Sequence, residues 1–286
     1  MNQRQHTKSV ETALMAAVVL IVALVLSAVP NRAWAVTCPT TETPADFDGD
    51  GFTDFQECSG ITLADGVTFV PPCPSLLGRS ACLDPNTKDL FIIYAPATAG
   101  SLLPPGLNPF GTVTAYGVTF NGLPNEITVH QITPAQAAVD RTVTSGWTQK
   151  AVRVAESLDA NGAVLGYCQW GTPNGLDGCT VYTQRIKNFI TSTCGANAIV
   201  TPAGNPSNVD DASLAYAIHT FLHEVGHTTG GMTATYNSSY GGYHYKCGAG
   251  TMMEQCVTYS TKAGKCKFNM STGWNTTLDS PTINLR

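Results

Sequence analysis

Three residues, His223, Glu224 and His227, have the types and the spacing of a metal-dependent hydrolytic site. Residues four apart on an α-helix lie on the same face, so His223 and His227 can present two neutral imidazoles to one metal ion. Glu224 directly follows the first histidine, so its carboxylate can reach a water beside the metal without being a ligand. This arrangement favours a zinc site in which Glu224 is the general base.

The residues before this motif predict the helix that must carry it. Asp210 and Asp211 are suited to a helix cap or first turn, and Gly230 follows the motif as a stop signal. Between them, an apolar stripe recurs at helical spacing, formed by Leu214, Ala217, Ile218, Phe221, Leu222 and Val225. The motif therefore falls in the last turns of a half-buried helix. An ordinary amphipathic helix without a metal is the less favoured interpretation.

A catalytic zinc site usually has three protein ligands and a water, so a third ligand is needed. His244 is the only later histidine and lies in a Gly- and Tyr-rich segment, which makes it the first candidate. Glu254 is the alternative zinc ligand. His219 stands one turn before His223 on the same helix face, where a packing or supporting role is expected.

These residues together resemble the metzincin group of zinc peptidases. The resemblance covers about 30 residues and rests on His223, Glu224, His227, Gly230, His244 and a turn methionine, most naturally Met253. It implies that the helix ends near the glycine, that the chain reverses to bring the third histidine, and that the methionine lies beneath the metal. One position departs from the family pattern, because Thr233 stands where the third histidine would fall. His244 as ligand therefore requires an insertion in the connecting loop.

Two other zinc peptidase groups bear on the same segment. A downstream glutamate is the third ligand in thermolysin-like enzymes, but the residues before Glu254 have no helical pattern. The segment Gly250-Thr251-x-x-Glu254 is similar to the aspzincin turn, with Glu in place of Asp. By resemblance to astacin-like enzymes, a tyrosine could stabilise the oxyanion, and the candidates are Tyr240, Tyr243 and Tyr245.

A second metal motif occupies residues 46–57 and fits the pattern D-x-D-x-D-G-x-x-D-x-x-E. Calcium prefers six to eight oxygen ligands, and Gly51 permits the sharp turn that such a loop needs. The predicted calcium ligands are Asp46, Asp48, Asp50, the Phe52 carbonyl, Asp54 and Glu57. The loop resembles those of EF-hands, thrombospondin type 3 repeats and dockerins. Because one loop is present and no long helix pattern precedes it, a structural calcium clamp is favoured over a sensor.

The first 35 residues predict a secretory signal peptide. Arg4 and Lys8 form a basic start, Ala13 to Val29 is continuously apolar, and Ala33-Trp34-Ala35 is a cleavage signal. An uncleaved membrane anchor is the alternative. Cleavage would leave a chain with no stable membrane association, located outside the cell, in a periplasm or at the cell surface. Its formal charge would change from −5 to −7, with 12 basic against 19 acidic residues, which disfavours nucleic acid as a partner.

All ten cysteines follow residue 35, and an even number in an exported chain predicts up to five disulfide bonds. Three short pairings are natural candidates: Cys38–Cys58, Cys73–Cys82 and Cys168–Cys179. No C-x-x-C pair is present, so a zinc site built from cysteines is disfavoured.

Hydrophobic patterns outside the motif predict an α+β fold. The predicted strands are 89–94, 113–120, 127–132, 150–158 and 198–200, and the predicted helices are 134–141, 182–190 and 210–228. His130, in an alternating strand, is expected to pack or to lie at the surface. The resemblance implies a zincin-like domain over 88–286, in which a twisted mixed sheet with backing helices precedes an irregular, disulfide-rich C-terminal subdomain. Residues 36–87 form the calcium-loop segment, after the signal peptide at 1–35.

These observations predict an exported zinc endopeptidase with a structural calcium site and a protein or peptide substrate. Two alternatives stay open. One is a non-enzymatic surface-binding protein stiffened by calcium and disulfides. The other is a zinc hydrolase of a non-peptide amide such as cell-wall material, since a metal with Glu224 would serve any amide.

Overall fold

A computed structural model describes residues 37–73, 82–97, 100–115, 118–123, 127–137, 142–143, 147–148, 151–169, 178–195, 198–201, 209–228, 252–253, 258–262 and 265–270. Contacts divide the chain into Met1–Thr37 and Cys38–Arg286, and the fold below is that of the second unit. The predicted signal peptide lies outside the described residues. None of the described helices is long and apolar enough to cross a membrane.

Five strands form the main, mixed sheet: β3 (Lys88–Ala95), β6 (Ile127–Gln131), β9 (Val152–Ser157), β10 (Gly166–Gln169) and β11 (Gly178–Tyr182). They lie in the order β10-β11-β9-β3-β6. All neighbouring pairs are parallel except β10 and β11, which are antiparallel. This sheet confirms the predicted strands 89–94, 127–132 and 150–158.

Strand β3, which lies between β9 and β6, shows why the sheet forms here. Leu90, Phe91, Ile92 and Ile93 are consecutive apolar residues, and all are buried. Because successive side chains of a strand point to opposite faces, such a run requires cover on both faces of the sheet. Asp89, just before this apolar run, is also fully buried although its side chain is acidic.

Helix α1 spans Asp54–Ser59, α2 spans Thr183–Cys194 and α3 spans Val209–Thr228. Helix α3 packs against α2 and against strands β9, β10 and β11, so the predicted motif helix lies on the main sheet. Its apolar stripe is buried, and Asp210 and Asp211 lie in its first turn. The predicted bounds of α3 are therefore confirmed, and α2 extends the predicted helix 182–190 by one turn.

A second sheet lies further along the chain and has three strands: β12 (Ala198–Thr201), β13 (Thr258–Lys262) and β14 (Lys265–Asn269). Strand β14 is central, parallel to β12 and antiparallel to β13. The expected strand 198–200 is confirmed, but the expectation of an irregular C-terminal part is wrong for 258–262 and 265–269. Strand β14 pairs with both neighbours, and its Cys266 and Phe268 are buried in the core.

The remaining strands are short: β1 (Ile61–Thr62) with β2 (Phe69–Val70), β4 (Val113–Ala115) with β5 (Val118–Phe120), and β7 (Thr142–Val143) with β8 (Trp147–Thr148). The single strand predicted at 113–120 is wrong, because Val113 pairs with Phe120 in a hairpin. The helix predicted at 134–141 is also wrong as far as 137. Residues 134–137 form a turn in which Gln136 accepts a hydrogen bond from the backbone of Ala64 at 3.2 Å.

Four disulfide bonds join described cysteines: Cys38–Cys58, Cys73–Cys82, Cys168–Cys179 and Cys194–Cys266. The three pairings named from the sequence are confirmed. The fourth closes a separation of 72 residues and ties the end of α2 to β14. Cys247 and Cys256 lie outside the described residues. Disulfides in this number are typical of proteins that fold in an oxidising compartment.

Candidate metal centres

The two motif histidines face each other across one turn of α3. The Nε2 atoms of His223 and His227 are 3.2 Å apart, and their rings are nearly perpendicular at 85°. Two nitrogens bound to one tetrahedral zinc at the usual bond length would be separated by about 3.3 Å. The pair therefore has the spacing of a shared metal ion. The same spacing would let one imidazole donate a hydrogen bond to the other when no metal is bound.

A backbone carbonyl determines which nitrogen of His223 carries the lone pair. Nδ1 of His223 lies 2.9 Å from the carbonyl oxygen of Met252. A carbonyl oxygen can only accept, so Nδ1 must carry the hydrogen, and in the neutral ring the lone pair is then on Nε2. Metal-binding histidines usually have such a partner on the other nitrogen. The Met252 carbonyl thus orients His223 in the tautomer that a metal site requires.

The side chain of Glu224, a residue of α3, packs against the edge strand β10 of the main sheet. Its Oε2 is 3.2 Å from Sγ of Cys168, whose disulfide partner Cys179 stands opposite it in β11. An oxidised sulfur has no hydrogen to donate, so this is a packing contact. Two residues earlier in the same strand, a Cβ on Gly166 would lie 2.7 Å from both Cγ and Cδ of Glu224 and closer still to Oε1. The absence of a side chain at Gly166 therefore makes room for the carboxylate.

Burial changes the acidity of Glu224. The residue is 6% exposed, and loss of water around the carboxylate raises the pKa of Glu224 to about 8. A general base is most effective when its pKa lies near the working pH. The position of Glu224 therefore gives a carboxyl group that can exchange a proton near neutrality.

Met252 and His219 lie beside His223. Met252 and Met253 are both buried in a turn, and the expected role of Met253 beneath the metal stays a prediction. The contact to His223 comes from Met252, however, and Nδ1 of His219 also lies 3.1 Å from the Met252 sulfur. Burial is the main cause that lowers the pKa of His219 to about 3, so this imidazole is neutral. Its buried position agrees with the expected packing role.

Several predicted site residues lie outside the described residues. These are the third-ligand candidates His244 and Glu254, the helix-stop residue Gly230, and the tyrosines Tyr240, Tyr243 and Tyr245. The structure therefore brings together His223, Glu224 and His227 but does not test the third ligand.

The predicted calcium loop folds around its acidic residues. The Asp46 carboxylate accepts hydrogen bonds from the backbone N–H groups of Gly49, Asp50 and Gly51 at 2.7–3.2 Å. One oxygen from each of Asp46, Asp48 and Asp50 lies within 4.8 Å of the others. Oxygens on opposite sides of a calcium ion are separated by about 4.8 Å, so this group fits one coordination shell.

Two further predicted calcium ligands, Asp54 and the Phe52 carbonyl, stay predictions, and the structure shows what their side chains contact. Asp54 begins α1, and its Oδ1 accepts a hydrogen bond from the backbone of Phe47 at 2.8 Å. It belongs to neither cluster of metal-ligating side chains among the described residues. The Phe52 side chain is buried against Phe91, with ring centroids 5.6 Å apart.

Glu57, the last residue of the pattern, lies in a second cluster with Asp50 and Asp89. All three side chains are fully buried. Burial first, then the nearby charges of Asp48, Asp50 and Asp89, raise the pKa of Glu57, and burial also raises the pKa of Asp50 and Asp89. Asp89 was missed from the sequence. The available signal was an acidic residue at the start of a run that is otherwise apolar.

Comparison of this chain with protein-family models, with curated proteins and with solved structures finds no match.

Proposed function

We propose that this protein is an exported, zinc-dependent endopeptidase with a zincin-like fold. The observation that carries the proposal is the pair of Nε2 atoms 3.2 Å apart, with His223 held in the metal-binding tautomer by the Met252 carbonyl. Simple packing of two histidines requires neither this separation nor this tautomer, whereas a hydrogen bond between the two rings would share both, and the zinc measurement below separates these two cases. The residues present thus fit zinc, with His223 and His227 as ligands and His244 as the third, or Glu254 in its place.

When bound, zinc supplies a Lewis acid that polarises a substrate carbonyl and lowers the pKa of water from ~15.7 to ~7. The protein supplies the proton carrier. The Glu224 carboxylate takes a proton from the water that attacks the substrate carbonyl, and returns this proton to the amine that departs when the C–N bond breaks. The wall formed by Gly166 and the Cys168–Cys179 disulfide holds this carboxylate in one place. Because side-chain packing has already fixed its orientation, no rearrangement is needed before the proton moves.

The sheet edge next to Glu224 favours a peptide as the substrate. Among the described strands, β10 pairs only with β11, and its first residue, Gly166, contacts Glu224. An extended peptide can bind such an edge through backbone hydrogen bonds as an added strand. This would place successive carbonyl groups of the peptide beside the Glu224 carboxylate. Export is supported by the four disulfides and by the predicted signal peptide.

The test is hydrolysis of an unfolded protein by the purified, disulfide-bonded chain, with bound zinc measured in each sample. The variants are Glu224→Gln and His227→Ala, and the control is Glu42→Gln, which changes an exposed residue far from the motif in the sequence. Glu224→Gln should keep zinc and lose at least about 10²-fold in kcat. His227→Ala should lose zinc and activity together.

Three results would contradict the proposal in different ways. Zinc without hydrolysis of any protein, including by wild type, would exclude a general endopeptidase and favour a non-peptide amide as substrate. Equal activity of wild type and Glu224→Gln would remove Glu224 from the proton transfer. Absence of zinc from the wild type, after folding with zinc supplied, would favour a calcium-stiffened binding protein.

A further inference from the structure

The start of strand β3 carries a buried carboxylate that the hydrolytic site does not use. Asp89 is fully buried beside Leu90 and Phe91. Its Oδ1 accepts a hydrogen bond from Nε2 of His130 at 2.6 Å, whereas Oδ2 is buried with no hydrogen-bond donor. Burying a carboxylate oxygen without a partner is strongly unfavourable, because the oxygen loses its hydrogen bonds to water and gains none in return. The structure therefore calls for a further positive group at Oδ2.

Glu57, in the acidic loop of residues 46–57, also lacks a hydrogen-bond donor. Both carboxylate oxygens of Glu57 are buried with no N–H or hydroxyl group donating to them, and their side-chain neighbour is the Asp89 carboxyl group. Asp50, also fully buried, lies between the two, and its Oδ2 accepts a hydrogen bond from the backbone N–H of Asp89 at 2.6 Å. Three buried carboxylates thus converge from two parts of the chain.

The described side chains do not neutralise this charge. The only ion pair recorded for the three carboxylates within the described residues is that of Asp89 with His130. The His130 imidazole meets Oδ1 of Asp89, so Asp89 Oδ2 and both Glu57 carboxylate oxygens are left without a positive partner among the described side chains. Lys88 is close, but its Nζ contacts the backbone carbonyl of Asp48. The cluster therefore lacks a cation.

The geometry fits a divalent ion that prefers oxygen. One oxygen from each of Asp50, Glu57 and Asp89 lies within 4.8 Å of the others, which is about the span of a calcium coordination shell. All three ligands are carboxylates, the donors that calcium accepts in variable number and geometry. Zinc in proteins favours nitrogen and sulfur, so this cluster is unsuited to it.

We propose that Asp50, Glu57 and Asp89 bind a calcium ion that fastens the N-terminal loop to the main sheet. The sequence pattern assigned Glu57 to an ion held within residues 46–57. Asp89 extends that site to β3, 39 residues beyond Asp50. The packing of Phe52 on Phe91 adds an apolar contact between the same loop and strand. Calcium would then stabilise the contact between loop and sheet as well as the loop itself.

Calcium titration calorimetry tests this on the metal-stripped, disulfide-bonded protein, with calcium chloride alone as the ligand. Asp89→Asn keeps an oxygen that can accept from His130, and Glu57→Gln keeps the shape of the other ligand. The control is Asp65→Asn, a half-buried carboxylate of the same segment that belongs to neither acidic cluster of the described residues and accepts hydrogen bonds from Val67 and Thr68. Both cluster variants should bind calcium at least about tenfold more weakly, and the control should bind like wild type.

The melting temperature separates a cation ligand from a purely structural residue. If Asp89 binds the ion, the increase in melting temperature caused by calcium should largely disappear in Asp89→Asn. If Asp89 only pairs with His130, the variant should melt lower by the same amount with and without calcium, so the increase would be unchanged. That second result, or calcium affinity equal to wild type, would overturn the proposal.

Hydrogen exchange of the wild-type protein covers the case in which Asp89→Asn does not fold. Calcium should slow the exchange of amides in residues 46–57 and also at Asp89 and Leu90, where the loop meets the strand. Slowing confined to 46–57, or no calcium binding by the wild type, would exclude Asp89 as a ligand. None of these measurements depends on hydrolysis, so they stand or fall separately from the peptidase proposal.

Discussion

Replacement of Gly166 by alanine should move the Glu224 carboxylate without touching the histidine pair. The added Cβ would lie 2.7 Å from Cγ and Cδ of Glu224 and closer still to Oε1, whereas ordinary contacts begin at 3.4 Å. Relief of the contacts to Cγ and Cδ alone requires a shift of at least about 0.7 Å, and a displacement of about 1 Å of a catalytic group can reduce the rate about 10²-fold. This corresponds to ~2.7 kcal/mol in the activation free energy.

The assay is steady-state hydrolysis of the same unfolded protein, together with bound zinc and the melting temperature. Gly178→Ala is the matched control, because it changes the neighbouring strand β11 and its Cβ would meet its nearest atom at 3.9 Å. Gly166→Ala should lose kcat while it retains zinc, and Gly178→Ala should retain both. This result would show that Gly166 affects kcat through the position of the Glu224 carboxylate.

Wild-type kcat in a folded, zinc-loaded Gly166→Ala would refute this reasoning. It would mean that the carboxylate position seen against β10 is not the one used in the reaction. Loss of zinc in the same variant would also count against it, since the predicted effect is on Glu224 and not on the ligands.

Two further predictions concern the framework that holds the motif helix. Phe221→Ala should lower the free energy of unfolding by about 3–5 kcal/mol, because the ring is fully buried and packs edge-on against Tyr94, with the ring centroids 5.7 Å apart. Urea unfolding measures this loss, and a loss below about 1 kcal/mol would contradict the packing. Replacing Cys194 and Cys266 together by serine should lower the free energy of unfolding by about 4 kcal/mol in the same assay, since the disulfide closes a separation of 72 residues. A free energy of unfolding equal to that of the wild type would show that this bridge does not form in solution.

Most elements that the sequence predicted well depend on contacts between near neighbours. The apolar stripe and the acidic first turn are sufficient to place α3, and a consecutive apolar run is sufficient to place β3. The three disulfides named in advance join cysteines separated by 9 to 20 residues. The pairing of the motif histidines also depends on near neighbours, because the helix repeat alone brings residues four apart together.

The elements that were missed depend on pairings across the chain. The hairpin of β4 and β5 looked like one strand because periodicity does not show where a chain reverses. Strands β13 and β14 were not recognised, and β14 is completed by β12, whose Ala198 pairs with Cys266. A pattern within a short window has no information on such a partner.

By itself, the sequence determined the helix with its two histidines and glutamate, the acidic loop, and the disulfide-rich character of the chain. Only the tertiary structure decided what surrounds them. The Met252 carbonyl reaches His223 across 29 residues, the Cys168 disulfide reaches Glu224 across 56, and Asp89 meets the acidic loop on the far side of a disulfide-pinned segment. The physical reason is that a side chain's acidity, tautomer and position depend on whichever surface packs against it, and chain topology determines that surface.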